Sequence, residues 1–218
     1  MPIQAIVFDF DGVLANSEPL HFQALRELLA TRGIALDEGD YYARYVGYDD
    51  VGVFELLGEE HGWTMGPGTI PALVEEKSRI FDALIAATDV LFPTALSCID
   101  RLGAVYPLGI ASGALKHEIV SILRRHGIED CFKFIVASGD TPQSKPAPDP
   151  YRRAAELHGL PPSACLAIED SKWGIESARA AGLRCIGITT TYGADALANA
   201  EQVITSLDEF TPALVASL

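Results

Sequence analysis

The sequence predicts an α/β fold: a parallel-sheet core interrupted by an inserted α-helical domain. Three observations carry this expectation. The apolar run at residues 3–8 ends at once in two carboxylates, Asp9 and Asp11. From about residue 92 onwards short apolar segments alternate with amphipathic ones, the pattern of βαβ units whose strands are covered on both faces. Between these parts, residues 18–87 show helical spacing and no convincing strand.

The elements follow in order. Residues 3–8 read as a buried strand. In the insert, His21-Phe22-Gln23-Ala24-Leu25-Arg26-Glu27-Leu28-Leu29 repeats apolar residues at three- to four-residue spacing. A second helix is expected over 51–60 and a third over 70–86, after the Gly66-Pro67-Gly68 turn. Beyond the insert, helices are expected at 94–102, 115–126, 150–158 and 174–181, and strands at 105–111, 132–137, 165–168 and 184–188. A last strand at 202–204 precedes a short helix from Leu207. The predicted domains are therefore a core of residues 1–15 and 90–218 and a helical insert of residues 16–89. Active sites of open parallel sheets lie beyond the C-terminal strand ends. The insert leaves from one of those ends, so it is expected to act as a lid.

Composition bounds the function. A chain of 218 residues, 49% hydrophobic and 21% charged, is ordinary for a globular protein with one or two domains. No apolar run reaches the ~20 residues of a membrane span. The opening Met1-Pro2-Ile3-Gln4 lacks the basic region of an export signal, so a cytoplasmic protein with no membrane partner is expected. Cys98, Cys131, Cys165 and Cys185 form no CxxC pair and read as reduced, mostly buried structural thiols. A net charge of −14 argues against nucleic acid. A monomer or weak dimer is expected. An acidic protein that binds anions must reverse its field locally, with a divalent cation and a few placed lysines or amides.

Four strand ends carry candidate chemistry. In Asp9-Phe10-Asp11-Gly12-Val13-Leu14 the strand period puts both carboxylates on one side, where they repel unless a cation or a shared proton stabilises them. The bland reading is an Asp-Gly surface turn. After 105–111 comes Ser112-Gly113-Ala114, a small hydroxyl and free amides ahead of a helix, suited to an anion. Taken alone, Ser112 reads rather as an N-cap. In Ser144-Lys145-Pro146-Ala147-Pro148-Asp149-Pro150 the prolines stiffen the frame around Lys145, where a solvated surface lysine is the ordinary alternative. After 165–168 come Glu169-Asp170-Ser171, either site carboxylates or charges and a cap at a helix N-terminus.

In this order the motifs resemble the haloacid dehalogenase superfamily of aspartyl-phosphate phosphotransferases. Its pattern is DxDG followed by V or T, then Ser or Thr in a small-residue turn, then KP, then E or D followed by D. The match runs through the whole core. The insert is similar to the small helical cap of the group holding β-phosphoglucomutase and phosphoglycolate phosphatase, as is the stretch Ala167-Ile168-Glu169-Asp170-Ser171 with Gly174-Ile175. The resemblance implies a Rossmann-like core with the first strand at its centre. It implies Asp9 as nucleophile, Asp11 as general acid and base, and Ser112, Lys145 and the amides of Gly113 and Ala114 around the phosphoryl oxygens. It implies Mg²⁺ as cofactor, held by Asp9, Asp11 through its carbonyl, and Asp170, with Glu169 a ligand through water or one step behind. Ser171 would orient Lys145 or a water.

Within the superfamily, dehalogenases and phosphonatases lack the second aspartate, so Asp11 points to phosphate esters. His21 is implied at the hinge beside Asp11, against the reading of a plain helix residue. Lys77 is implied to face the substrate, against an exposed lysine beside Glu75 and Glu76. Sugar-phosphate mutases of the group carry an arginine where this chain has Gly47-Tyr48-Asp49-Asp50-Val51. That departure favours a simple phosphatase acting on a small phosphorylated metabolite. The alternatives are a β-phosphoglucomutase-like mutase or a non-catalytic phosphometabolite-binding protein. Trp173 either lines the substrate entrance or packs the cap on the core, with packing preferred.

Overall fold

Four successive buried residues, Ala5–Phe8, form strand β1, and their period of two splits them between the faces of the sheet. Ala5 and Val7 join one core cluster with Tyr151, Ala154, Ile175 and Cys185. On the other face Phe8 meets Phe132 and Phe210 edge-on, with centroids 6.2 and 5.9 Å away. Each such side chain contributes roughly 1.5–3 kcal/mol on leaving water. The computed structural model describes all residues, 1–218.

After β1 come α1 (Glu18–Ala30), α2 (Glu38–Arg44), α3 (Asp50–His61) and α4 (Thr69–Ala87), then α5 (Ala95–Gly103), β2 (Leu108–Ala111) and α6 (Lys116–Arg125). The chain continues through β3 (Phe132–Val136), α7 (Asp149–His158), β4 (Cys165–Glu169), α8 (Lys172–Ala180), β5 (Arg184–Ile188), β6 (Gln202–Ile204) and α9 (Pro212–Ser217). The six strands form one parallel sheet in the order β3-β2-β1-β4-β5-β6, so β1 lies inside it. Ile6 faces Leu108 of β2 and Leu166 of β4. Helix α7 packs over β1, β2 and β3, and α8 over β4 and β5.

The chain divides into two compact units, Met1–Asn16 with Leu91–Leu218, and Ser17–Val90. The second is all helical. Its α1 packs on α4, and Phe22, Leu25, Leu28 and Leu29 share a core with Tyr41, Tyr45, Phe54, Leu57 and Leu73.

Three expectations are corrected. Helix α2 was not expected, being one short segment with a glycine in it. Asp37 starts it by accepting from the amide of Gly39 at 2.8 Å, and buried Tyr41 holds it against Phe22. The strand expected from residue 105 begins at Leu108. The amides of Val105 and Tyr106 fold back onto the carbonyl of Leu102, at 2.9 and 2.8 Å, and leave Val105 58% exposed. The helix expected from Leu207 is a turn, in which the Glu209 carboxylate accepts from the amides of Thr205 and Ser206. Buried Phe210 follows, and the helix α9 starts only at Pro212. Of the four cysteines, Cys131 is exposed. No helix is long and apolar enough to cross a membrane.

Candidate active site

The sheet pairing of β1 continues for one more residue, since the amide of Asp9 donates to Ile168 at 3.0 Å. The chain then closes on itself, as the Phe10 carbonyl accepts from the amides of Val13, Leu14 and Ala15. Gly12 makes this closure possible. Its φ is +73°, and a Cβ there would lie 1.9 Å from Oδ2 of Asp170 and 2.5 Å from Oγ1 of Thr191. Thr190 Oγ1 donates to the Gly12 carbonyl and ties the loop after β5 to the loop after β1.

Lys145 enters from the segment between β3 and α7, which Ser177 pins by donating to the Ala147 carbonyl at 2.5 Å. Its Nζ donates to Oδ1 of Asp9 at 2.8 Å and to Oε1 of Glu169 at 2.6 Å. Tyr151 donates to the same Oε1 at 2.6 Å, and Ser171 to Oε2 at 3.3 Å. Glu169 is fully buried. Its carboxylate lies on the bare backbone of the first turn of α8, where a Cβ on Gly174 would meet it at 1.9 Å. Ser171 caps that helix by accepting from the Gly174 amide at 3.1 Å.

The charges are tightly coupled. Burial, and then the charge of Glu169, push the Asp9 carboxyl up to about 8 against the pull of Lys145. Burial works against the Lys145 charge, but Asp9 and Glu169 together hold it above the ordinary lysine range. Burial and Glu169 drive Tyr151 well above the usual phenol range, so it remains a donor. Oxygens of Asp9, Glu169 and Asp170 lie within 4.8 Å of one another. Three carboxyl groups share one ammonium, burial resists their charging together without a further cation, and the donor atoms are all hard oxygens. This set fits a divalent cation of the Mg²⁺ type. The Asp11 side chain is not in that cluster, and its Oδ2 accepts from the Ser112 hydroxyl at 3.4 Å.

Ser112 does not cap α6, whose N-cap is Leu115. It folds the loop after β2 instead, its hydroxyl accepting from the Ala114 amide at 3.0 Å with Gly113 between them. The structure thus brings Asp9, Asp11, Ser112, Gly113, Ala114, Lys145, Glu169 and Asp170 to the C-terminal ends of β1, β2 and β4 and to the segment before α7.

His21 and Lys77 belong to the helical unit, where they meet each other. Lys77 Nζ lies 2.7 Å from Nδ1 of His21 and 2.6 Å from Oδ1 of Asp50, and His21 stacks on Phe81 at 4.0 Å. Lys77 is 3% exposed, which overturns the reading of a solvated helix lysine. The neighbouring Glu75 and Glu76 pair with Arg79 and Arg32. Asp49 caps α3 through the Gly52 amide. Sequence reasoning missed Tyr151, Thr190 and Thr191. Tyr151 sits on the inner face of an amphipathic helix and reads as core, with no signal that its hydroxyl serves Glu169.

A sheet whose inner strand delivers a buried aspartate to a lysine, beside a second pair of carboxylates, is the architecture of hydrolases that work through an aspartate. Residues 3–182 match the haloacid dehalogenase-like hydrolase model, and the chain belongs to that family. It is a phosphatase of the family. The protein CbbY of Rhodobacter capsulatus is 35% identical over 205 residues, covering 88% of each chain. The phosphorylated carbohydrates phosphatase of Thermotoga maritima is 28% identical over 219 residues, covering 95% of this chain and 99% of its own. Among solved structures, a mutant CbbY from Rhodobacter sphaeroides in complex with xylulose-(1,5)bisphosphate superposes with a TM-score of 0.88 at 27% identity, covering 99% of this chain and all of that one.

Proposed function

We propose that this protein hydrolyses a monophosphate ester of a small carbohydrate, with Mg²⁺ as its cofactor and an aspartyl-phosphate formed on Asp9. The observation that carries this reading is Lys145 shared between Asp9 and Glu169. It fixes the nucleophile and supplies a buried cation beside the place where phosphoryl charge develops. The relative from Thermotoga maritima, a phosphorylated carbohydrates phosphatase, supports the substrate class.

In this reading a carboxylate oxygen of Asp9 attacks phosphorus and the bond from phosphorus to the ester oxygen breaks. Asp11 gives its proton to the leaving alkoxide. Water then attacks phosphorus, Asp11 takes a proton from it, and the bond from phosphorus to Asp9 breaks to release inorganic phosphate. Ser112, Lys145 and the amides of Gly113 and Ala114 hold the phosphoryl oxygens. Asp9, the Asp11 carbonyl and Asp170 would hold the cation, whereas Glu169 is taken up by Lys145, Tyr151 and Ser171. When bound, Mg²⁺ neutralises the carboxylates and the phosphoryl charge. The core of residues 1–15 and 90–218 carries this chemistry, and residues 16–89 form the helical insert.

A second reading has an observation behind it, because the relative from Rhodobacter sphaeroides was captured with a bisphosphate. In the present chain the stretch Gly47-Tyr48-Asp49-Asp50-Val51 is acidic where mutases of the group carry an arginine, which favours one phosphate over two. The test is inorganic phosphate release from hexose, pentose and short-acid monophosphates and from xylulose 1,5-bisphosphate, with and without Mg²⁺, beside an Asp9→Asn variant. Mg²⁺-dependent release from monophosphates, lost in the variant, supports the reading. Isomerisation without release would establish the mutase, and preference for the bisphosphate the second reading.

A further inference from the structure

Trp173 and Tyr192 lie outside the mechanism above, yet beside its carboxylates. Trp173 stands in the first turn of α8, three residues after Asp170, and is half-buried. Tyr192, also half-buried, lies in the loop after β5, and its ring meets that of Trp173 at 5.9 Å and 67°. Exposed Lys172 sets its Nζ 4.4 Å from the Trp173 ring centre. The two rings are placed by the machinery itself. Thr190 is tied to the Gly12 carbonyl, and Thr191 and Asp170 both occupy the space a side chain at Gly12 would need. The aromatic corner therefore begins where the carboxylate cluster ends.

We infer that Trp173 and Tyr192, with Lys172 behind the indole, form a subsite for the sugar ring of the substrate and set the preference for cyclic sugar phosphates over short acyclic ones. This rests on the phosphatase reading above. Two rings at a steep angle offer apolar faces to the C–H side of a sugar ring. The Thr190 and Thr191 hydroxyls beside them offer hydrogen-bond partners to its hydroxyls. A two- or three-carbon phosphate has no comparable face to lay on an indole. The Lys172 ammonium lies over the Trp173 ring, and the Tyr192 ring packs against it at a steep angle.

The test compares Trp173→Ala, Trp173→Phe and Tyr192→Ala with the unaltered protein on hexose phosphates and on phosphoglycolate. The expected result for the alanine variants is a KM raised about three- to tenfold for hexose phosphates, with kcat held within about twofold and phosphoglycolate unaffected. Trp173→Phe restores most of the loss. A second measurement does not depend on turnover. In Trp63→Phe combined with Asp9→Asn, Trp173 is the one remaining tryptophan, and its emission should change on titration with hexose phosphate but not with inorganic phosphate. Equal losses on both substrate classes, no loss on either, or a silent Trp173 overturn the subsite. If no substrate releases phosphate while Trp173 still responds to hexose phosphate, the subsite stands and the phosphatase reading falls.

Discussion

Glu169 holds Lys145 through a 2.6 Å hydrogen bond from a site with no exposure to solvent, and Lys145 in turn holds Asp9. The strand that ends in Glu169 thus positions Asp9, the nucleophile proposed above, on the neighbouring strand. Glu169→Gln keeps the shape and removes the charge that anchors the ammonium. Phosphate release should fall about a hundredfold in kcat with little change in KM, as expected when an interaction that serves the transition state is weakened. Tyr151→Phe removes only one donor to the same carboxylate. It should retain more activity while costing roughly 1.5–3 kcal/mol of stability, read from urea unfolding. Unchanged kcat in the Glu169 variant would mean that Lys145 is placed by its loop alone.

Gly174 tests the same arrangement from the helix side. A Cβ at this position would overlap the Glu169 carboxyl at 1.9 Å, far inside contact distance. Gly→Ala inside a helix ordinarily stabilises by about 0.5–1 kcal/mol. Here the sign should reverse, because the carboxylate cannot retreat without losing Lys145 and Tyr151. Gly174→Ala should lower both the melting temperature and kcat. A melting temperature that rises instead would show that Glu169 has room to move.

In the helical unit, Asp50 gives a 3%-exposed lysine its counter-charge. Asp50→Asn should cost roughly 2–4 kcal/mol, less than a fully dry pair because the Asp50 side chain keeps 18% exposure. The double change Asp50→Leu with Lys77→Met should recover most of that loss. A double-mutant cycle followed by thermal melts separates the pair from its surroundings. A coupling energy near zero would leave Lys77 held by His21 and its other neighbours.

That the four motifs converge was legible in the sequence, because three follow apolar strand runs directly and the fourth lies in the proline-rich segment before α7. Asp9, Ser112, Lys145 and Asp170 announce themselves by type and position, without reference to packing. Tyr151 did not, since an inward tyrosine on an amphipathic helix satisfies the core pattern whether or not its hydroxyl has a task. At Lys77 the competing reading of a solvated lysine failed for the opposite reason. The two preceding glutamates suggested a solvated face, yet both turn to arginines while the lysine turns inward to Asp50. Thr191 contributes through a close approach to Gly12 that links positions far apart in the chain, and no local pattern encodes it. Helix α2 is too short for its period to stand out from the loops beside it.

His158 closes α7, a position where the helix dipole ordinarily favours a charged imidazole. Here burial wins. The ring packs against Phe134 at 4.6 Å, and burial, helped by the charge of Lys133, lowers its pKa to about 4. An unfolded chain titrates near 6.5, so between about pH 6.5 and 4 the unfolded state binds more protons. Stability therefore falls as the pH is lowered through this window and levels off, for this residue, below it. The carboxylates titrate in the same range, so the comparison must be with His158→Leu, in which they are unchanged. The unaltered protein should lose about 2–4 °C more in melting temperature than the variant on going from pH 7 to 5, a modest figure because the ring is only partly shielded. Parallel pH profiles for the two proteins would mean that the imidazole protonates in the folded state as easily as in the unfolded chain.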